Sequence, residues 1–289
     1  MLILFNPAAG ARRRRRLLVA LDLLRSVGMR PEVADTAWRG HATELARQAA
    51  AAGMGVVVAA GGDGTIAEVA AGLAGSDAAL GVLPLGTANV LALELGLPCA
   101  PEGAAAVLAM GRTALLHPGL ARYPDGRELL FVQMLGAGFD AAVVHGLAPG
   151  LKRALGKGAY VWQTLREMPR YGFPPIGVRL DGRAEWAASV IVSKGRLYGG
   201  RFLLAPGADP RREGFHVALF RDAGALAALR YGAALTLGLL PGLRGVELLR
   251  AREVALEGAG IPAQADGDAA GHLPLRIGPA PRPLRIVVP

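Results

Sequence analysis

The chain has 289 residues, 52% of them hydrophobic and 19% charged, enough to bury the core of one large domain or two ordinary ones. Its 41 glycines and 20 prolines are scattered, which argues against a low-complexity tract, and its lone Cys99 excludes an intrachain disulfide and a thiolate metal site. A formal net charge of +9 favours anionic partners: nucleotides, nucleic acid or an acidic membrane surface.

Residues 2–5 read as a short apolar strand ended by Asn6-Pro7, too short for a signal peptide. Arg12 to Arg16 then precede Leu17, Leu18, Leu21 and Leu24, which share one helical face. No aromatic residue interleaves with the arginines, which argues against a nucleic-acid stacking platform. A solvated helix face is the commoner fate of such a run, and contact with nucleotide or headgroup phosphate stays open. Strands follow at 31–35, 54–60 and 80–83, and helices at 41–52, 65–73, 89–95 and 101–110. This alternation predicts a parallel sheet covered by helices, with ligands beyond the carboxyl ends of the strands. Three polar, glycine-bearing loops leave those ends, at 6–10, 61–65 and 84–89.

Beyond about residue 116 the texture changes to strand-like runs at 129–135, 176–180, 186–193, 216–220, 246–256 and 275–288. Helices are expected at 157–168 and 223–239. This predicts a β-rich second domain. The stretch 223–240 carries Arg230 and three glycines, a poor membrane span. It reads either as a core helix or as an amphipathic surface helix.

The most informative segment is Gly61-Gly62-Asp63-Gly64-Thr65, on a strand-to-helix turn. Backbone N–H groups at a helix start, together with the helix dipole, favour an anion there. Glycines allow close approach and positive φ. An acid inside such a turn repels phosphate unless it holds a divalent cation or polarises water, so Asp63 points to metal-assisted nucleotide chemistry. The same letters also fit a ligand-free tight turn.

Asn6-Pro7-Ala8-Ala9-Gly10, the Gly-Gly-Asp-Gly-Thr turn, Leu83-Pro84-Leu85-Gly86-Thr87-Ala88-Asn89, Gly136-Ala137-Gly138-Phe139-Asp140-Ala141 and Gln264-Ala265-Asp266-Gly267-Asp268 occur in that order. This order resembles the bacterial diacylglycerol kinase-like lipid kinases, whose catalytic domain is shared with sphingosine and ceramide kinases. The resemblance implies a Rossmann-like α/β domain of the NAD kinase and phosphofructokinase type over 1–118. A β-sandwich lipid-substrate domain would occupy 119–289, its last strand a candidate to return to the first domain. ATP would lie between them, and the activity would be phosphoryl transfer from ATP to a lipid hydroxyl. Asn6, Thr36, Gly61, Gly62, Asp63, Gly64, Thr65, Gly86, Thr87 and Asn89 would hold the nucleotide. Asp63 would contact Mg2+ through water. Asp268 would accept the proton with Asp266 beside it, and Glu213 in the loop 207–214 would ligate a second, structural magnesium. The expected partners are ATP and a lipid alcohol, with peripheral contact to an anionic membrane surface and a homodimer left open. The expected location is cytoplasmic, at or near the inner membrane face.

Three positions depart from the family's pattern. Val90 stands where an aspartate commonly follows the Gly-Thr loop, His117-Pro118-Gly119 replaces an Asp-Leu-Gly element, and Asp268 replaces a glutamate. A non-catalytic nucleotide- or lipid-binding relative is the alternative they motivate. An NAD kinase or a phosphofructokinase is a further alternative, but the downstream Asn-Glu pair of the one and the Thr-x-Asp-Asn-Asp segment of the other are both missing. A nucleic-acid binder lacks any recognisable module.

Overall fold

A computed structural model describes residues 1–7, 11–147 and 157–289. Ala8, Ala9 and Gly10 of the N-terminal loop lie outside the described residues. The chain forms two compact units, Met1–Pro118 with Ala280–Pro289, and Gly119–Pro279.

The first unit runs β1 (Leu2–Phe5), α1 (Ala11–Ser26), β2 (Glu32–Asp35), α2 (His41–Ala51), β3 (Val56–Gly61), α3 (Asp63–Leu73), β4 (Ala79–Pro84), α4 (Val90–Glu94), α5 (Pro101–Met110) and β5 (Thr113–Leu116). The C-terminal strand β20 (Leu284–Val287) completes its sheet, in the order β2-β1-β3-β4-β20-β5. Strands β2 to β4 are parallel, β20 runs parallel to β4, and β5 is antiparallel to β20. Strands β3 and β4 are covered on both faces, which is why they read as unbroken apolar runs. Helices α2 and α3 pack closely because small residues face each other. Ala42, Ala46 and Ala49 are buried, and a Cβ on Gly72 would lie 2.5 Å from the Thr43 carbonyl oxygen. Helix α5 starts on Pro101, whose missing N–H would be unpaired anyway, and stops at Gly111 in the left-handed region.

Register fixes where the loops emerge. Asp35, Phe5, Ala60 and Leu83 align across β2, β1, β3 and β4. The chain leaves β1 for β2 on one side and returns to β3 on the other. The switch point of the sheet is therefore between β1 and β3, where such folds open a crevice for ligands.

The second unit begins with β6 (Gly119–Arg122), β7 (Glu128–Phe131), β8 (Met134–Gly138), α6 (Phe139–Gly146), α7 (Lys157–Glu167), β9 (Ile176–Leu180), β10 (Arg183–Ala187) and β11 (Ser189–Ser193). There follow the short β12 (Leu197–Tyr198) and β13 (Phe202–Leu203), then β14 (Phe215–Phe220), α8 (Ala225–Thr236), β15 (Val246–Ala251), β16 (Val254–Glu257), β17 (Pro262–Ala265), β18 (Asp268–His272) and β19 (Leu275–Pro279). Two antiparallel six-stranded sheets form, β10-β9-β16-β19-β6-β7 and β15-β14-β11-β8-β17-β18. Their inner faces share one core, in which Ile176, Val178 and Leu256 of one sheet meet Val190, Val192 and Val217 of the other. This is a β-sandwich.

Four runs that read as single strands are each two. Residues 129–135, 186–193 and 246–256 break after β7, β10 and β15, and the chain changes sheet at each break. Residues 275–288 divide into β19 of the sandwich and β20 of the first unit. The helix expected at 223–239 ends at Thr236, before a 3-10 turn at Leu240–Gly242. It buries Tyr231 and Ala234 but leaves Leu226 and Leu229 exposed, so only part of it serves as core.

Candidate active site

Four predicted nucleotide contacts stand at the carboxyl ends of adjacent strands: Asn6 after β1, Thr36 after β2, the 61–65 turn after β3 and the 85–89 loop after β4. Asn6 Nδ2 donates to Thr65 Oγ1 at 3.4 Å, which joins the first and third of these loops across the switch point. Thr36 is buried, and its N–H donates to the Phe5 carbonyl at 2.8 Å.

The helix of the Gly-Gly-Asp-Gly-Thr turn begins at Asp63, earlier than the expected Thr65. No side chain caps it, and its first internal bond runs from the Ile66 N–H to the Gly62 carbonyl at 3.1 Å. The N–H groups of Gly64 and Thr65 precede that bond at the positive end of the helix dipole. The glycines are there for space, contrary to the expected positive φ. Gly62 has φ −96°, and Gly61, Gly64 and Gly86 all stay outside the positive region. A Cβ on Gly61 would lie 2.4 Å from Thr65 Oγ1, and one on Gly86 would lie 2.5 Å from the Gly62 Cα and 2.6 Å from Asn89 Oδ1. The two loops therefore touch backbone to backbone. Asn89 takes the left-handed conformation instead, at φ 50°. Its Nδ2 donates to the Gly86 carbonyl at 3.0 Å, and its buried Oδ1 has no protein partner.

Asp63 ties the two loops together. Its Oδ1 accepts the Val90 N–H at 2.7 Å, at the start of α4. Burial raises its pKa, while the N–H groups of Val90, Leu91 and Asn89 pull the other way. A magnesium ion that arrives with nucleotide phosphates keeps several waters and needs only one or two protein carboxylates. Asp63 supplies one beside N–H donors, so these residues fit such an ion.

Two neighbours join these loops, one from the arginine run that the sequence left open to nucleotide contact and one not singled out from sequence. Arg13 of the arginine run donates from Nη2 to Thr87 Oγ1 at 3.3 Å, and burial followed by repulsion from Arg16 lowers its pKa. Arg16 donates to the carbonyls of Pro84 and Cys99. Arg14 pairs with Asp35 at 3.2 Å. The run is therefore no uniform solvated face. The second neighbour is Trp38, 58% exposed and stacked on His41 with ring centroids 4.0 Å apart. The Ala37 N–H donates to His41 Nδ1 at 3.1 Å and fixes that ring. From sequence, the only signal was a lone tryptophan two residues after Thr36.

In the sandwich, Asp266-Gly267 form the two-residue turn of the β17–β18 hairpin, with φ 49° and 83°. Both values are positive, as a type I′ turn requires. Asp266, expected beside Asp268 as a catalytic partner, is engaged by backbone donors. Its carboxylate accepts the N–H groups of Val132 at 2.8 Å, Gln133 at 2.8 Å and Met134 at 3.0 Å. It clamps the break between β7 and β8. Asp268 follows at the start of the edge strand β18, partly exposed. Behind the turn, Gln264 Oε1 accepts the Gly267 N–H at 2.9 Å, and its Nε2 donates to Asp140 Oδ2 at 2.9 Å. Tyr198 donates its hydroxyl to Asp140 Oδ1. Burial raises the Asp140 pKa, against these two hydrogen bonds. Gly136 leaves room for the pair, since a Cβ there would lie 2.7 Å from Asp140 Oδ2.

Glu213 is placed apart from these residues in sequence and contact, paired with Arg252 at 3.5 Å. Among the described residues no three His, Cys, Asp or Glu side chains group to hold a metal.

Residues 1–119 match the diacylglycerol kinase catalytic domain, and residues 133–288 match the YegS C-terminal NAD kinase beta sandwich-like domain. The chain belongs to the diacylglycerol kinase-like lipid kinase family. It is 32% identical to a diacylglycerol kinase of Mycobacterium tuberculosis over 252 residues, 86% of this chain and 81% of that one. It is 31% identical to the probable lipid kinase YegS-like of Pseudomonas aeruginosa (strain UCBPP-PA14), covering 100% of this chain and 94% of that one. A crystal structure of a diacylglycerol kinase from Bacillus anthracis str. Sterne shares the fold, with a TM-score of 0.72 at 18% identity over 100% of this chain and 96% of that one. The two-domain lipid kinase fold of this family thus accounts for the α/β sheet and the sandwich described above.

Proposed function

We infer that this protein transfers the γ-phosphoryl group of ATP to the hydroxyl of a lipid alcohol, such as diacylglycerol or a sphingoid base. The observation that carries the reading is the meeting of the Gly-Gly-Asp-Gly-Thr turn and the Gly-Thr loop, glycine on glycine, at the switch point of the sheet in a member of a lipid kinase family. Phosphoryl transfer needs positioning and charge neutralisation more than covalent chemistry from the protein.

In this reading the N–H groups of Gly64 and Thr65 and the Arg13 guanidinium hold the phosphates. Asn6, Thr36, Thr87 and Asn89 add polar contacts. Trp38, on its His41 support, offers a face to the base. Thr36 stands two strand spacings from Gly61, about 9.6 Å, which suits a nucleotide laid across the strand ends from phosphates to base. Asp63 would help to hold Mg2+, which when bound neutralises phosphate charge. Asp268 accepts the proton as the lipid oxygen bonds to the γ-phosphorus and the bond to the bridging oxygen breaks, releasing ADP. Asp266 and Gln264 hold the turn that presents it. No helix among the described residues is long and apolar enough to cross a membrane. Access to lipid then rests on surface contact, which the exposed Leu226 and Leu229 and the +9 net charge support.

The test is transfer of labelled phosphate from ATP, with magnesium, to a panel of lipid alcohols in mixed micelles. NAD and fructose phosphate serve as soluble controls. Transfer to a lipid alone establishes the reading. Transfer to a soluble control, or ATP binding with no transfer to any acceptor, contradicts it.

A further inference from the structure

The loop 207–214 carries Asp209, Arg211, Arg212 and Glu213, and the family resemblance led to the expectation of a structural metal there. Its carbonyl oxygens already face a cation. Lys194, the residue after β11, is only 2% exposed. Its Nζ donates to the Arg212 carbonyl and to the Gly214 carbonyl, each at 2.7 Å, and lies 5.2 Å from the centre of the Phe215 ring. The Lys194 N–H donates to the Gln133 carbonyl at 2.7 Å, which fixes where the side chain starts.

The acids of the loop act on this ammonium only through their charge, which favours it, while their carboxylates are paired with arginines. Asp209 takes the Arg211 guanidinium at 3.0 Å and its backbone N–H at 3.0 Å, and Glu213 pairs with Arg252. Two carbonyl oxygens converging on one point repel each other unless a cation or donor lies between them. A magnesium ion would need near-octahedral oxygens at about 2.0–2.1 Å, centred in the volume Nζ fills. The ammonium offers three donors there, and although burial lowers its pKa to about 8, the nearby Asp209 and Glu213 favour the charged form.

We propose that Lys194 is the built-in cation of this loop: its ammonium stands where a bound metal would stand, and the loop is metal-independent. The residues of this loop thus do not fit a second magnesium. The inference goes beyond the kinase reading, because it concerns the stability of the sandwich and is tested without nucleotide or lipid.

The experiment is thermal unfolding of the full chain, free of nucleotide, in chelator and in millimolar magnesium chloride. The wild type is expected to melt at the same temperature in both. Lys194→Ala is expected to melt about 5 °C lower or more in chelator, and to regain part of that loss in magnesium chloride. Glu213→Gln should behave as wild type. A wild-type midpoint that falls in chelator and returns with magnesium overturns the proposal. So does a Lys194→Ala midpoint equal to wild type, or one that magnesium leaves unmoved. If Lys194→Ala does not fold, the wild-type comparison and Glu213→Gln still decide the question.

Discussion

Two hairpins of the sandwich use the same turn for different ends. Asp181-Gly182 joins β9 to β10 with φ 49° and 89°, and Asp266-Gly267 joins β17 to β18 with φ 49° and 83°. Each aspartate clamps a place where the chain changes sheet. Asp181 accepts the N–H groups of Arg252 and Glu253 between β15 and β16, and Asp266 those of residues 132–134 between β7 and β8. The difference lies around the turn. The residue two before Asp181 is Arg179, exposed and paired with Glu257 at 3.3 Å. The residue two before Asp266 is Gln264, buried and locked to Asp140. Arg183 follows the first turn, and Asp268 follows the second. The Asp-Gly clamp is thus architecture, and in the proposed reading the second hairpin adds Asp268 and its support to it.

The largest effect expected from this contrast is on Asp268→Asn. Its rate of phosphoryl transfer should fall about 10²–10⁴-fold in kcat, with thermal stability unchanged. Next, Gln264→Leu removes the support under Gly267 and leaves Asp140 without that partner. It should lower kcat about 10-fold or more with little change in the KM for ATP, because misplacement of a base by about 1 Å has costs of this order. Urea unfolding should then show Asp181→Ala and Asp266→Ala each losing about 1–3 kcal/mol, since both leave N–H groups without acceptors. Only the Asp266 change should also lower kcat, and equal rate losses in the two variants would erase the distinction. Smallest of all, Arg179→Ala should shift stability by no more than about 1 kcal/mol and leave the rate alone, as expected of an exposed pair.

The first unit was the more legible part of the sequence. Its central strands β3 and β4 are buried on both faces and flanked by helices, so apolar runs and helical spacing mark them, whereas the half-exposed β5 was not read as a strand. The motif letters located the turn, but the reason for its glycines lay outside the motif. Gly62 and Gly86 are more than twenty residues apart and are required by each other. The sandwich was harder because its strands are short and change sheet without a loop, as at Phe131 to Met134, where Gln133 alone interrupts the apolar run. The clamp that makes the break is Asp266, more than a hundred residues away. Lys194 was missed for a similar reason. A lone lysine just past a strand carries no sign that its ammonium will pack against the carbonyls of residues 212 and 214.

The most direct test of the account is single-turnover phosphate transfer by Asp268→Asn and Asp181→Asn beside wild type, with the melting temperature of each protein measured in the same buffer. The account predicts a chemical step at least about 100-fold slower in Asp268→Asn at an unchanged melting temperature, and a wild-type step in Asp181→Asn despite its lower stability. An Asp268→Asn rate within a few-fold of wild type, or a loss of rate that follows stability in both variants, would contradict it.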